Sequence, residues 1–148
     1  SSDLEDTCKE HHIPYELMLQ DLGYTYETTY IAIRQVFQKI DSTYSGKKKG
    51  IFLSNDTYAN IFLNLLFQKY GKLPEDYQII GFDNSPIANE AILPITTIGQ
   101  QIDKIAKTAM ELLILQMDEM KKRKPTPLEN PIHKQITPVL IRRETTDS

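Results

Sequence analysis

The strongest constraint on the fold is a repeated unit: a short apolar run that ends in polar residues and leads into a helical pattern. "GIFLSND" (50 to 56) reads as a strand that turns polar, and "TYANIFLNLLFQKYG" after it reads as a helix ended by Gly71. "YQIIGFD" repeats the first half, with Ile79, Ile80, Gly81 and Phe82 as a buried run and Asp83, Asn84, Ser85 and Pro86 behind it. Ser85 and Pro86 suit the N-cap and first residue of a short helix. Upstream, "DLEDTCKEHH" reads as the end of a helix stopped by Pro14, "YELMLQD" (15 to 21) as a strand and "LGYTY" as a loop. "ETTYIAIRQVFQKI" (27 to 40) is helical, because Tyr30, Ile33, Val36, Phe37 and Ile40 recur at spacings of three and four. Downstream come a short extended piece "PITTI" (94 to 98), a long helix (99 to 122), a proline-rich linker and a last strand, "QITPVLIRRE" (135 to 144). Strands with continuous apolar cores alternating with helices predict an α/β fold, a Rossmann-like parallel sheet flanked by helices.

Open sheets of this kind bind ligands beyond the carboxyl ends of their strands. Asp83 falls at that edge, although Asn84, Ser85 and Pro86 also make it a plausible turn residue. At the end of the preceding strand, Asp56 is expected to be the N-cap of the next helix. Asn55, one residue too early to cap, is then free to face a ligand. Tyr24 and Tyr26 fall in the loop after the strand at 15 to 21, at the same sheet edge, and aromatics beside hydroxyl-binding carboxylates suit sugars.

Two helices carry more apolar surface than one sheet face needs. On the helix from 57 to 70 the polar residues are nearly confined to a stripe of Thr57, Asn60, Asn64 and Gln68, which predicts a second face, around Ile61, Phe62 and Leu65, buried against another lobe or subunit. The helix from 99 to 122 has Ile102, Ile105, Ala109, Met110, Leu113 and Met117 on one side, with Leu112 and Leu115 beside it.

Composition narrows the function. The net charge of −3 gives no basic field for nucleic acid, and the single cysteine, Cys8, excludes an internal disulfide and fits a reducing compartment. No apolar run could span a bilayer, and the polar, acidic start does not read as an export signal. Cys8 with His11 or His12 could pair on a helix, but nothing orients the imidazole, so the expected reading is a solvated surface. "KKK" at 47 to 49 is expected to be a solvated turn before a strand. No catalytic residue, metal-ligand set or cofactor-binding pattern is expected: the chain holds no nucleophile elbow, phosphate loop or metalloprotease motif.

Four pieces taken together, "IFLSND", "GKLPEDYQIIGFDNSP", "LPITTIGQ" and the closing "ITPVLIRRETT", resemble the effector-binding region of LacI/GalR-family transcriptional repressors. The resemblance covers nearly the whole chain. It implies a two-lobed, periplasmic-binding-protein-like region that holds a sugar or nucleobase between the lobes, usually in a dimer. By the resemblance, Asp83 matches the effector-binding aspartate, Asn55 the asparagine at the neighbouring strand end, and Tyr24 an aromatic that packs on the ligand. Residues 1–93 and 135–148 would form the C-terminal lobe, and 94–134 an inter-lobe crossover with the long helix and a linker.

The family's effector-binding arginine, the strand before it and the DNA-binding helices would precede Ser1, so the chain resembles part of a longer cytoplasmic regulator. It would reach operator DNA only through that missing domain and would not touch a membrane. The expected partners are a small-molecule effector, a sugar or sugar phosphate, and a second copy of the chain. The alternative with the same fold is a sugar-binding protein of a transporter; an enzyme of doubly wound fold lacks a convincing nucleophile.

Overall fold

Three parallel strands and one antiparallel strand carry the candidate site. The computed structural model describes residues 2–18, 24–100, 102–120 and 137–147. The elements are α1 (Ser2–Glu10), α2 (Tyr26–Thr43), β1 (Lys49–Phe52), α3 (Asp56–Tyr70), β2 (Tyr77–Phe82), α4 (Pro86–Glu90), β3 (Thr96–Gly99), α5 (Ile102–Met120) and β4 (Val139–Ile141). They group into two compact units, Ser1–Thr43 and Tyr44–Ser148.

In the first unit α1 ends before Pro14, where the Ile13 amide donates to the Cys8 carbonyl at 2.8 Å. Residues 15–18 of the expected strand are not in a strand, and the rest of it, 19–21, lies outside the described residues. A strand exists through its ladder, and no described strand offers one to 15–18. α2 starts earlier than its periodicity indicates. The Thr28 amide donates to Thr25 Oγ1 and the Thr25 amide to Thr28 Oγ1, both at 3.2 Å, a reciprocal cap that brings Tyr26 into the helix rather than the loop. Ile33, Phe37 and Ile40 are buried, as the spacing predicts; Tyr30 and Val36 are half-buried, and Ala32 joins the buried face.

The second unit is built on the sheet β1-β2-β3-β4. β1, β2 and β3 are parallel, with Phe52 opposite Ile80 and Ile80 opposite Thr96. The all-parallel expectation fails at β4, which runs antiparallel to β3 with Leu140 opposite Ile98. β4 is a half-exposed strand at the edge of the sheet, a position that antiparallel strands of mixed sheets often take.

α3 packs on β2 and α4, with Phe62 against the Tyr77 ring at 6.1 Å. Gly71 ends it in a left-handed cap, φ 71°, with its amide on the Phe67 carbonyl at 2.8 Å. Ile61, Phe62, Leu63, Leu65 and Leu66 are all buried. The second apolar face of α3, expected to wait for another lobe or subunit, is covered by the chain itself. The stripe of Thr57, Asn60, Asn64 and Gln68 stays at least partly accessible, along with half-buried Tyr58 and Phe67 and the exposed C-terminal Lys69 and Tyr70. α5 does carry an open apolar face, with Ile105, Met110, Leu113, Leu115 and Met117 exposed.

The lysine run also departs from expectation. Lys49 opens β1, and its ammonium donates to Asp76 Oδ2 at 2.7 Å and to the carbonyls of Lys47 and Tyr44 at 2.8 and 3.0 Å. It stands 4.3 Å from the centre of the Tyr77 ring, and its side chain is 8% exposed. The long apolar stem and a full set of acceptors let this one lysine leave water.

Candidate ligand-binding site

Asn55 does not stand free: it is the N-cap of α3. Its backbone is extended, φ −157° and ψ 168°, and its Oδ1 accepts from the Tyr58 amide at 2.9 Å. Its Nδ2 is the part of the side chain left to meet a ligand. Asp56, expected to cap, is instead the first residue of α3 and is 1% exposed. The cap is shifted by one residue because Asp56 is drawn inward by partners that are remote in sequence.

Those partners belong to the turn after β2. Asp56 Oδ1 accepts from Thr97 Oγ1 at 2.6 Å, and its Oδ2 accepts from the Ser85 amide at 2.7 Å and from Ser85 Oγ at 3.3 Å. Thr97 Oγ1 in turn accepts from the Asn84 amide at 3.3 Å, while the Asp83 amide donates to the Ile98 carbonyl at 2.8 Å. Three successive amides of the turn, 83 to 85, are thereby fixed. The turn needs this, because Asp83 (φ 96°) and Asn84 (φ 51°) are both left-handed, a conformation that costs a residue other than glycine on the order of 1–3 kcal/mol. Asp and Asn tolerate it better than most. Ser85 then caps α4 with Pro86 in its first turn, as the sequence indicates, although the Ser85 hydroxyl bonds Asp56 and not the helix.

Asp83 is consequently presented at the carboxyl end of β2, exposed to solvent. One carboxylate oxygen, Oδ1, accepts from Gln100 Nε2 at 2.5 Å, just past the end of β3. A carboxylate accepts about four hydrogen bonds, so most of its capacity is open to a donor-rich ligand. Asn84 points its Oδ1 to Arg143, which donates from Nη2 at 2.7 Å and from Nη1 to the Ile95 carbonyl at 3.0 Å. Tyr24 belongs to the first unit and is fully exposed there.

Behind this edge the closing segment is bolted to the sheet by hydroxyls. Buried Thr145 donates to the Ile79 carbonyl at 2.7 Å and accepts from the Thr96 amide at 2.9 Å. Thr96 Oγ1 pairs with Thr146 Oγ1 at 2.7 Å and accepts from the Arg143 amide at 2.9 Å. Sequence reasoning missed Asp56, Thr97, Gln100 and Arg143. The signal available was Thr96–Thr97, set between Ile95 and Ile98, since hydroxyls buried in an apolar run must find partners; Thr145–Thr146, among charged residues, carried none.

A second concavity, about 290 Å³, lies along β1 and β2 and is lined by Lys48, Glu75, Asp76, Gln78 and Asp147 among others. Its central groups are already paired, Lys49 with Asp76 and Gln78 Nε2 with Asp147 Oδ2 at 3.0 Å. Among the described residues, no group of three or more His, Cys, Asp or Glu could hold a metal ion.

Residues 2–146 match the family described as "Periplasmic binding protein-like domain". Among curated proteins, the chain is 29% identical over 99 residues to an HTH-type transcriptional repressor PurR of Vibrio atlanticus, covering 67% of this chain and 28% of that one. It is 32% identical over 97 residues to a ribose operon repressor of Halalkalibacterium halodurans, covering 66% and 27%. Among solved structures, a LacI family transcriptional regulator from Enterococcus faecium with bound ribose is similar at a TM-score of 0.65 and 25% identity, covering 96% of this chain and 48% of that one. A CelR–cellobiose complex is similar at a TM-score of 0.70 and 18% identity, which speaks to the fold. The chain thus spans 48% and 40% of these two solved neighbours, and its matches cover under a third of these curated relatives. The family match covers nearly the whole chain, and this chain belongs to the periplasmic binding protein-like domain family.

Proposed function

We propose that this chain is the effector-binding portion of a LacI/GalR-type transcriptional regulator, and that its effector is a polyhydroxylated small molecule, a sugar or sugar phosphate, held against Asp83. The observation that carries this reading is the Asp83 carboxylate, exposed beyond the carboxyl end of β2 on a turn whose three amides are fixed. Adjacent hydroxyls of a sugar are donors, and the carboxylate is an acceptor only. Asn55 Nδ2 and Gln100 stand at neighbouring strand ends to complete the contacts. The relatives named as a ribose operon repressor and as a regulator with bound ribose support a sugar of pentose size.

In this reading the protein is not an enzyme, works in the cytoplasm as a homodimer, and reaches operator DNA through a domain outside this chain. β3 shares its sheet with β2 and β4, so in this reading the crossing to a second lobe begins after Gly99 and not at residue 94. The experiment is a titration of the ¹⁵N-labelled chain with D-ribose, D-glucose, cellobiose and a purine base. Saturable shifts confined to residues 83–85, 100 and 55 with a sugar support the reading. Shifts with the purine alone assign a nucleobase effector, and no saturable shift with any probe overturns it.

A further inference from the structure

We propose that Asp56 is a positioning residue of the ligand site: its buried carboxylate sets the shape of the turn that presents Asp83. The inference rests on the reading of Asp83 given above, and it concerns a side chain whose sequence position suggests only a helix cap. Asp56 is 1% exposed, and both its oxygens are committed to the turn or its support. Oδ2 holds the Ser85 amide directly at 2.7 Å. Oδ1 holds Thr97 Oγ1 at 2.6 Å, and that hydroxyl, with its proton given to Asp56, offers its lone pairs to the Asn84 amide at 3.3 Å. One carboxylate therefore governs two consecutive peptides, one in person and one through a hydroxyl. These are the peptides that follow the two left-handed residues, Asp83 and Asn84.

The geometry has no slack. Gly81 has no side chain at the point where the carboxylate lies, and an added Cβ there would collide with Asp56 Oδ1. The glycine of "GFD" is thus explained by the approach of Asp56, since its φ lies outside the left-handed region. A carboxylate carried into the interior costs far more than a neutral hydrogen-bonding group would. A cap alone does not require it, because Asn55 supplies the cap. What the carboxylate supplies is a pair of strong acceptors for a turn that is otherwise unfavourable.

The test separates positioning from bulk stability by reading single amides. Three variants are compared with wild type by amide hydrogen exchange: Asp56→Ala, Thr97→Val and Thr97→Ser. In Asp56→Ala the amides of Asn84 and Ser85 should exchange at least about tenfold faster relative to those of Ile79 and Ile80 in β2. In Thr97→Val the excess should fall on Asn84 and spare Ser85, and Thr97→Ser, which keeps the hydroxyl, should restore Asn84. If Asp56→Ala does not fold, the Thr97 pair decides the matter alone. Equal acceleration of all four amides, or wild-type protection of Asn84 in Thr97→Val, would overturn the proposal. D-ribose is then titrated into each folded variant: a positioning role weakens its binding in Thr97→Val and not in Thr97→Ser. If wild type itself binds no sugar, the functional reading fails, while the exchange data still decide the role of Asp56.

Discussion

Asp56 and Gly81 compete for one volume: the carboxylate fills the space that any larger residue at 81 would need, and a Cβ added there would also stand 3.3 Å from Ala59 Cβ. Gly81→Ala must therefore push a buried, doubly engaged carboxylate off its partners. Overpacking of this kind costs about 1–3 kcal/mol. For a chain of this size that is a fall in Tm of roughly 3–10 °C, read by thermal unfolding. An unchanged Tm would show that helix α3 can slide to make room.

At Asp83 the backbone and the side chain make separable demands. Asp83→Gly removes the carboxylate and suits φ 96°, so Tm should hold or rise. Sugar affinity should fall on the order of a hundredfold, because hydrogen bonds to a charged acceptor are worth more than one tenfold step each. Asp83→Asn keeps the shape and should bind at an intermediate level. Calorimetry on the folded variants checks both, and a dissociation constant for Asp83→Gly within about threefold of wild type would reduce Asp83 to a turn residue.

Thr145→Val is nearly isosteric yet strips a donor from the Ile79 carbonyl and an acceptor from the Thr96 amide, both in the buried interior. Each unsatisfied group costs about 1–3 kcal/mol. Denaturant unfolding should show a loss of roughly 2–5 kcal/mol, with Thr145→Ser recovering most of it. A neutral result would mean that water replaces the hydroxyl.

Within the lysine run the three positions should not behave alike. Lys49→Ala breaks a charged pair and bares the Tyr77 ring, so it should destabilise by about 1–3 kcal/mol. Lys48→Ala, at an exposed position, should stay within about 0.5 kcal/mol of wild type. Equal effects at both positions would contradict the burial of Lys49.

Of the two helices expected to support a homodimer, only α5 keeps an open apolar face. Leu113→Lys combined with Met117→Lys, on the open face of α5, should shift sedimentation towards monomer at micromolar concentration, whereas Ile61→Ala should lower stability and leave association intact. Association that survives the double substitution would place the contact elsewhere.

The contrast between α3 and α5 shows what could be read from the sequence. The periodicity of α2, the Gly71 cap, the Ser85–Pro86 start of α4 and the polar ends of β1 and β2 are local properties, and local chemistry specifies them. Whether an apolar face is covered by the same chain is a tertiary property: α3 and α5 carry similar surpluses, yet only that of α3 is buried. The same limit explains Asn55 and Asp56. Either could cap α3, and the choice was settled by Ser85 and Thr97, 29 and 41 residues away from Asp56. The antiparallel direction of β4 was equally out of reach, since three residues of edge strand carry no mark of direction.

Among the described residues, the order of the sheet leaves β1 at its other margin. In a parallel ladder one side of such a strand bonds inward, and here the amides of Lys49 and Leu53 flank it by donating to the Asp76 and Ile80 carbonyls. The opposite row of peptide groups, at exposed Gly50 and Phe52, is a template on which a foreign strand could be laid. Lys47 and Lys48, immediately before it, place two positive charges beside that template. Charges so placed disfavour edge-to-edge pairing, an effect that is independent of any ligand and weakens as salt screens it.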